Sequence, residues 1–155
     1  AGTARARARR RPPRRPGRAA AESPLWAEAL RPDPDGEGVF GALVPEQYRL
    51  GLETIYEGYL VHYGRPRLFA PADDDVALLL GDYLYAHGLV RIAATGDLGA
   101  VETLAELISA CAALRAEGAG GDGEEWLRAA RRLGGGANGL AAAERALAAH
   151  ARRLS

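Results

Sequence analysis

The sequence predicts an all-α protein, an antiparallel bundle of five or six helices that follows a basic N-terminal extension. Apolar residues recur at helical spacing in successive stretches after residue 45. Short turns rich in glycine or proline separate these stretches, and short connections place consecutive helices antiparallel. No alternating pattern typical of a β-strand competes after residue 45.

The N-terminal extension differs in composition from the rest of the chain. Residues 1–18 contain eight arginines and no acidic residue, whereas the remainder contains twelve arginines and twenty acidic residues. Such a segment buries too little apolar surface to fold, so we expect residues 1–22 to be disordered and residues 23–155 to form the domain. Arginines bind phosphates, which predicts nonspecific contact of residues 1–18 with nucleic acid or an anionic membrane. A solvated extension without a specific role is an equally good interpretation.

Residues 19–44 are interpreted as a tether and lead-in to the domain. Ser23-Pro24 is a typical helix start, and it begins a short helix in which Trp26 anchors the segment to the domain. The sequence RPDPDGEG at 31–38 then breaks regular structure, because proline and glycine interrupt helices and strands alike.

The first long helix is predicted to begin at Pro45 and to end at Gly64. Its large apolar residues follow the i, i+4, i+7, i+8 spacing of one helix face; they are Tyr48, Leu52, Ile55, Tyr56, Tyr59, Leu60 and Tyr63. Glu53 and Glu57 lie one turn apart on the other face. Two carboxylates at this spacing are candidate ligands for a divalent cation, although such a pair is more commonly solvated surface.

The next stretch, Asp73 to Ala94, is predicted to be the central helix of the domain. Three aspartates open it, where a helix N-terminus favours negative charge, and its apolar residues occupy nearly every side, as in buried helices. Gly81 and Gly88 predict close approach of a neighbouring helix, since glycine costs about 1 kcal/mol in a helix. A membrane span is the alternative. It is disfavoured because Asp82 and Arg91 would each cost roughly 2.5–3.5 kcal/mol near the bilayer centre.

Three further helices complete the predicted bundle. One runs from a cap at Asp97 to Glu117 and carries Cys111 on its apolar stripe; a short helix around Trp126 and a final helix with Leu140, Leu147 and Leu154 at heptad spacing follow. The lone cysteine excludes an internal disulfide and a cysteine-ligated zinc site, so we expect a buried thiol. The glycine-rich loops lack the lysine and hydroxyl residue of a phosphate-binding loop.

The run from Gly64 to Asp97 resembles the trans-isoprenyl diphosphate synthases. Gly64-Arg65-Pro66 is similar to the Gly-x-Pro-Thr turn of that family, and Gly81-Asp82 is similar to its helical Gly-Asp pair. The resemblance covers about residues 45–120 and implies part of the isoprenoid synthase fold. It also implies magnesium as the candidate ion and an isoprenoid diphosphate as the candidate ligand.

The active-site motif of that family is altered in this chain. Its three aspartates would fall on Glu53, Thr54 and Glu57, and its arginine pair on His62 and Tyr63. Each missing charged contact to a diphosphate could cost about 2–5 kcal/mol if buried, and rates fall tenfold per ~1.4 kcal/mol. The second aspartate-rich motif has no counterpart downstream. We therefore expect the chain alone to lack prenyl transferase activity.

Two residues beside the turn and one in the apolar helix complete the candidate site. Arg65 and Arg67 are candidates for binding a phosphate or an acidic partner, with ordinary surface arginines as the alternative. Asp82 is a further candidate ligand-binding residue, and a buried hydrogen bond to a tyrosine or to Arg91 is the plainer interpretation. His87 is interpreted as a core or interface residue.

These observations predict a non-catalytic, cytoplasmic accessory or binding subunit of isoprenoid diphosphate metabolism. It would pair with a protein partner, such as a full-length synthase, or with its own copies. One alternative is a magnesium-dependent prenyltransferase that uses Glu53 and Glu57 and is completed by a partner chain. The other is a phosphate-binding module that acts on nucleic acid or peripherally on a membrane through its arginine-rich extension.

Overall fold

The structure, a computed structural model, describes residues 24–134 and 139–155, and within these ranges the chain is helical. The elements in chain order are α1 (Pro24–Ala27), a 3₁₀ turn (Gly41–Leu43), α2 (Glu46–Tyr63), α3 (Asp74–Ala93), α4 (Leu98–Ala116), α5 (Asp122–Arg132) and α6 (Gly139–Leu154). A single antiparallel bridge between Leu30 and Phe69 is the only β-type pairing in the described ranges. The predicted all-α fold is confirmed. The disorder predicted for residues 1–22 falls outside the described residues.

The helix boundaries follow from local capping chemistry. Asp73 begins α3, where its side chain accepts a hydrogen bond of 2.8 Å from the Val76 amide, and Asp97 does the same at α4 with the Ala100 amide at 3.0 Å. Gly96 lies between the two helices with φ +81°, a conformation that glycine adopts without strain. The caps predicted from the sequence are therefore confirmed.

Helix α2 lies at the centre of the bundle, and α3 lies at its edge. Twelve of the eighteen residues of α2 are buried, against five of the twenty residues of α3. Leu79 and Val90 on α3 are 59% and 66% exposed. The prediction that α3 is the central helix is wrong, because its apolar residues are more numerous than the neighbours available to cover them.

The contact between α2 and α3 is made through glycines on both helices. A Cβ atom added at Gly88 would lie 2.4 Å from Cγ1 of Ile55, and one added at Gly58 would lie 2.9 Å from the Gly81 carbonyl oxygen. Gly51 likewise has no room for a side chain beside Ile92. The close approach predicted from Gly81 and Gly88 thus occurs, and the two backbones touch.

The other sides of α2 are covered by the second half of the chain. Its main core combines aromatic residues of α2 with the apolar faces of α4, α5 and α6, and Trp126 and Cys111 are fully buried in it. Burial raises the pKa of the Cys111 thiol to about 12, as expected for a structural cysteine. The predicted leucine heptad of α6 is wrong at Leu140, which is 80% exposed; Ala146 and His150 are the residues that α6 buries.

A smaller core joins the lead-in segment to the N-terminal half of α3. Ala29, Leu68, Phe69 and Leu80 are buried in it, and Trp26 packs against it with its ring 5.7 Å from that of Tyr83. The predicted role of Trp26 as an anchor is confirmed. The helix that contains it is a single turn.

Candidate functional site

Glu53 and Glu57 lie on the side of α2 that faces away from α3. Helix α3 packs on the face of α2 that carries Ile55, and each glutamate is two residues from Ile55, or about 160° around the helix. Their hydrogen-bond partners come instead from residues 39–41 and 67–68. The expectation that these glutamates line the gap between α2 and α3 is therefore wrong, and so is the interpretation of a solvated surface pair, since both are buried.

Arg67 lies between the two carboxylates and is only 3% exposed. Its Nη1 donates to Glu53 Oε2 at 2.7 Å, and its Nε donates to Glu57 Oε2 at 2.9 Å. Nη1 also donates to the Glu37 carbonyl at 2.8 Å, and the guanidinium lies 5.0 Å from the ring centre of Tyr56. Arg67 is a buried ion-pair residue, which corrects its interpretation as a surface arginine.

The remaining carboxylate oxygens accept hydrogen bonds from the backbone. Oε1 of Glu57 accepts from the Arg67 and Leu68 amides at 2.8 and 2.7 Å, and Oε1 of Glu53 accepts from the Val39 amide at 2.9 Å and from the Gly41 amide. All four carboxylate oxygens therefore have a partner. Buried charges need such complete pairing, because each unpaired buried ion costs several kcal/mol, up to about 5.

The electrostatics of this cluster favour the charged form of Arg67. Burial lowers the pKa of its guanidinium, but the charges and hydrogen bonds of Glu53 and Glu57 outweigh this effect and raise the pKa above its usual range. A bound cation would have to displace Arg67 from both carboxylates. No group of three or more histidine, cysteine, aspartate or glutamate side chains suited to a metal ion exists among the described residues.

A second buried polar cluster connects α2 with α4, α5 and α6. Asp122 accepts hydrogen bonds from the Tyr59 hydroxyl and from Arg115, and Arg115 Nη2 also contacts the Tyr59 hydroxyl at 2.7 Å. His150 Nδ1 lies 3.1 Å from the Tyr56 hydroxyl, and its Nε2 lies 3.6 Å from Asp122 Oδ1. Because Tyr56 also faces Arg67, the two clusters meet at this ring.

Nothing in the sequence pattern singled out this second cluster. Its members are separated by up to 94 residues, and each occupies an ordinary position on its own helix. The only available signal was the abundance of tyrosines on the apolar face of α2, because buried tyrosine hydroxyls need a polar partner. That signal gives no information about which residue is the partner.

Arg65 and Asp82 lie apart from the glutamates. The Arg65 amide donates to the Arg153 carbonyl at 2.8 Å and its guanidinium contacts the Arg152 carbonyl, so Arg65 holds the C-terminal end of α6. Asp82 has a 68% exposed side chain with Oδ1 3.3 Å from His62 Nε2. The buried hydrogen bond predicted for Asp82 is wrong. His87 is half-buried and stacks on Tyr83.

The candidate site residues do not converge on one cavity. Glu53, Glu57 and Arg67 form a closed ion-pair cluster, Arg65 lies at the end of α6, and Asp82 lies on the exposed side of α3. Their use as ligand-binding residues stays a prediction. What the chain exposes instead is the apolar face of α3.

Helix α3 is long and apolar enough to cross a membrane by length and composition, yet only 28% of its most apolar window is buried in the fold. Among the described residues it is the one helix that meets these criteria. The core helices of water-soluble proteins, which are mostly buried, also meet these criteria of length and composition. Eight of the twenty residues of this helix are exposed and only five are buried, which makes its outer face an unusual surface.

In comparisons with protein-family models, with curated proteins and with solved structures, the chain matches no family model, no curated protein and no solved structure.

Proposed function

We propose that this chain is a non-catalytic helical binding subunit that joins a partner protein through the exposed face of α3. The observation that carries the proposal is the small buried share of this apolar helix, 28% of its most apolar window. Contiguous apolar surface of this kind is uncommon on monomeric proteins and typical of interaction sites.

The exposed face has the spacing of a helix-pairing seam. Its exposed positions recur at steps of three or four residues, and they are Asp75, Leu79, Asp82, Ala86, Val90 and Ala93, with Leu78 beside them. Such a/d spacing lets a second helix lie along the first with side chains interdigitating. An amphipathic helix is therefore the partner element that this surface fits best.

The charge of the seam favours a different protein over a second copy. Asp75 and Asp82 lie on it and are exposed, whereas Arg91 is half-buried on another side of the helix. A second copy of α3 would bring two more aspartates and no cation to this seam. A partner helix with basic residues at the facing positions would complement it, and an apolar membrane interior would not accommodate the aspartates, at roughly 2.5–3.5 kcal/mol each.

The burial of Glu53 and Glu57 supports a non-catalytic role. Magnesium-dependent prenyl transfer, the alternative, would need both carboxylates to leave Arg67, which holds them at 2.7 and 2.9 Å. The resemblance to prenyl diphosphate synthases suggests such an enzyme as the partner. That suggestion, and the isoprenoid context with it, rests on the sequence motifs around Gly64 and Gly81 alone.

Site-specific photo-crosslinking in the source cells tests the proposal. A photoreactive residue placed at position 79 or 90 should crosslink one partner protein, identified by mass spectrometry, and the same residue at position 140 should not. Leu140 is a suitable control because it is equally apolar and 80% exposed, but lies on α6. Equal crosslinking from all three positions would reject α3 as the docking surface.

Reconstitution with the purified partner then measures the contact. Leu79→Glu and Val90→Glu should weaken the complex at least tenfold in light-scattering titrations, because each places a charge in the apolar seam. Leu140→Glu should leave the affinity unchanged. If all three variants bind alike, the partner contacts another surface.

A further inference from the structure

We propose that the groove between α6 and the lead-in segment binds a phosphate-bearing small molecule with more than one anionic group. This open groove has a volume of about 750 Å³, within the range of small-molecule sites. Its walls are formed by residues 31–43, residues 65–67 and one face of α6. It lies apart from the docking face of α3 and does not depend on the function proposed for that face.

The groove concentrates the positive charge of an acidic domain. Residues 19–155 contain twelve arginines against twenty acidic residues, yet six of those arginines line this groove. They are Arg31, Arg65, Arg67, Arg145, Arg152 and Arg153. The acidic residues on its walls are Asp33, Asp35 and Glu37. With Arg67 held by Glu53 and Glu57 and Arg153 by Asp35, the other four arginines face two wall carboxylates, Asp33 and Glu37, and this local excess favours anions.

Several of these guanidinium groups are free to meet a ligand. Arg67 is occupied by Glu53 and Glu57, and Arg153 is paired with Asp35. Arg145 and Arg152 are exposed. Among the described residues, the hydrogen bonds of Arg152 at the end of α6 involve its carbonyl oxygen and leave its guanidinium group facing the groove, as Arg145 also does. The same holds for Arg31 on the opposite wall, so cations face the groove from two sides.

The geometry of α6 brings its two free arginines to one stripe. Residues 145 and 152 are seven apart, two helical turns or about 10 Å along the axis, and long side chains can converge across that distance. Ala142, Ala146 and Ala149 of the same helix line the groove with short side chains, which leaves its floor open. The planar guanidinium group offers paired donors that match phosphate oxygens, which is why we assign a phosphate-bearing ligand.

Titration calorimetry of the full chain with sodium tripolyphosphate tests the site. Arg145→Gln should bind at least tenfold more weakly than the unaltered protein, since a charge-assisted hydrogen bond is lost. Arg145→Lys should lose part of the affinity, because it keeps the charge but not the paired donors. The matched control is Arg131→Gln, which removes an exposed arginine of α5 that does not line the groove; its affinity should change less than twofold.

Removal of a wall carboxylate supplies the opposite test. Asp33→Asn should tighten tripolyphosphate binding several-fold, because it removes a repulsive charge and leaves every arginine in place. Backbone NMR should show the largest ligand-induced shifts at Val39, Ala146 and Ala149, which line the groove.

Three results would overturn the assignment. Equal affinities of Arg145→Gln and Arg131→Gln would exclude the groove. Shifts confined to residues 1–18 would show that the arginine-rich extension holds the anion. Tighter, Arg145-dependent binding of a hexaglutamate peptide than of tripolyphosphate would reject the phosphate-bearing ligand class in favour of an acidic peptide.

Discussion

Helices α2 and α3 are similar in length and opposite in burial. Helix α2 buries twelve of its eighteen residues, two glutamates and a threonine among them, whereas the more apolar α3 buries five of twenty. The difference arises because the polar groups of α2 find partners inside the fold. Burial in this protein therefore follows the supply of partners more closely than it follows hydrophobicity.

Removal of a partner in the buried α2 cluster should have the largest effect. Arg67→Met leaves Glu53 and Glu57 buried without a counterion, and breaking a buried ion pair in this way costs about 3–5 kcal/mol. Urea unfolding followed by circular dichroism should show this loss. Arg131→Met, at an exposed arginine of α5, is the control and should cost less than about 1 kcal/mol. A loss of that small size for Arg67→Met would mean that water reaches the glutamates.

A matched pair of leucines compares the two helices directly. Leu52 on α2 is fully buried, and Leu79 on α3 is 59% exposed. Leu52→Ala should destabilise the fold by about 2–5 kcal/mol, because it removes core contacts and leaves a cavity. Leu79→Ala should change the free energy of unfolding by no more than about 0.5 kcal/mol in the isolated chain. Similar losses from both substitutions would show that α3 is covered in solution.

The glycine contact between α2 and α3 should respond to a single methyl group. Gly88→Ala should cost about 1–3 kcal/mol, because the new Cβ would lie 2.4 Å from Ile55 Cγ1 and 2.9 Å from the Gly51 carbonyl oxygen. Gly99→Ala, near the start of α4, is the control, with only Asp97 Oδ1 near its Cβ, at 3.4 Å. It should be neutral or slightly stabilising in thermal unfolding. If Gly88→Ala lowered the stability no more than Gly99→Ala, the contact between α2 and α3 would be loose enough to accept a methyl group.

The smallest effect concerns pH and the second buried cluster. Burial lowers the pKa of His150 below the ordinary 6.5, although Asp122 partly opposes this shift. The unfolded chain then binds a proton more readily than the folded one, so stability should fall as pH drops below about 6.5. His150→Gln should flatten the dependence of the melting temperature on pH between 7.5 and 5.5, and His62→Gln, beside exposed Asp82, should not. A steeper dependence in His150→Gln would contradict the direction of the shift.

The fold class and the boundaries of α2, α3 and α4 could be predicted from local chemistry. Asp73 and Asp97 cap helices because their side chains reach amides three residues on, and Gly64 ends α2 as expected. Gly81 and Gly88 marked a close helix contact correctly, since glycine in a helix interior is otherwise unfavourable. These signals lie within a few residues of what they determine.

The same local signals could not predict which residues of each helix are buried in the fold. The burial of Glu53 and Glu57 depends on Arg67 and on the backbone amides of residues 39 and 41. These groups come close to the glutamates only through tertiary folding. The exposure of α3 depends on how many other segments pack against it. The spacing of apolar residues in its sequence does not give that number. The proposed kinship with prenyl synthases drew its site from the pairing of α2 with α3, and that pairing places the glutamates on the far side.

The backbone contact at Gly51, Gly58, Gly81 and Gly88 has a mechanical consequence. Most helix pairs are separated by side chains of both helices, which can change rotamer and absorb a displacement, but here the carbonyl groups of Gly51, Gly81 and Gly88 face glycines of the other helix, with Ile55 and Ile92 beside them. A sideways load on α3 would be transmitted at once to α2, and from there to the Arg67 ion pairs and the tyrosine cluster. Binding of a partner to the outer surface of α3 would thus move α2 and α3 together.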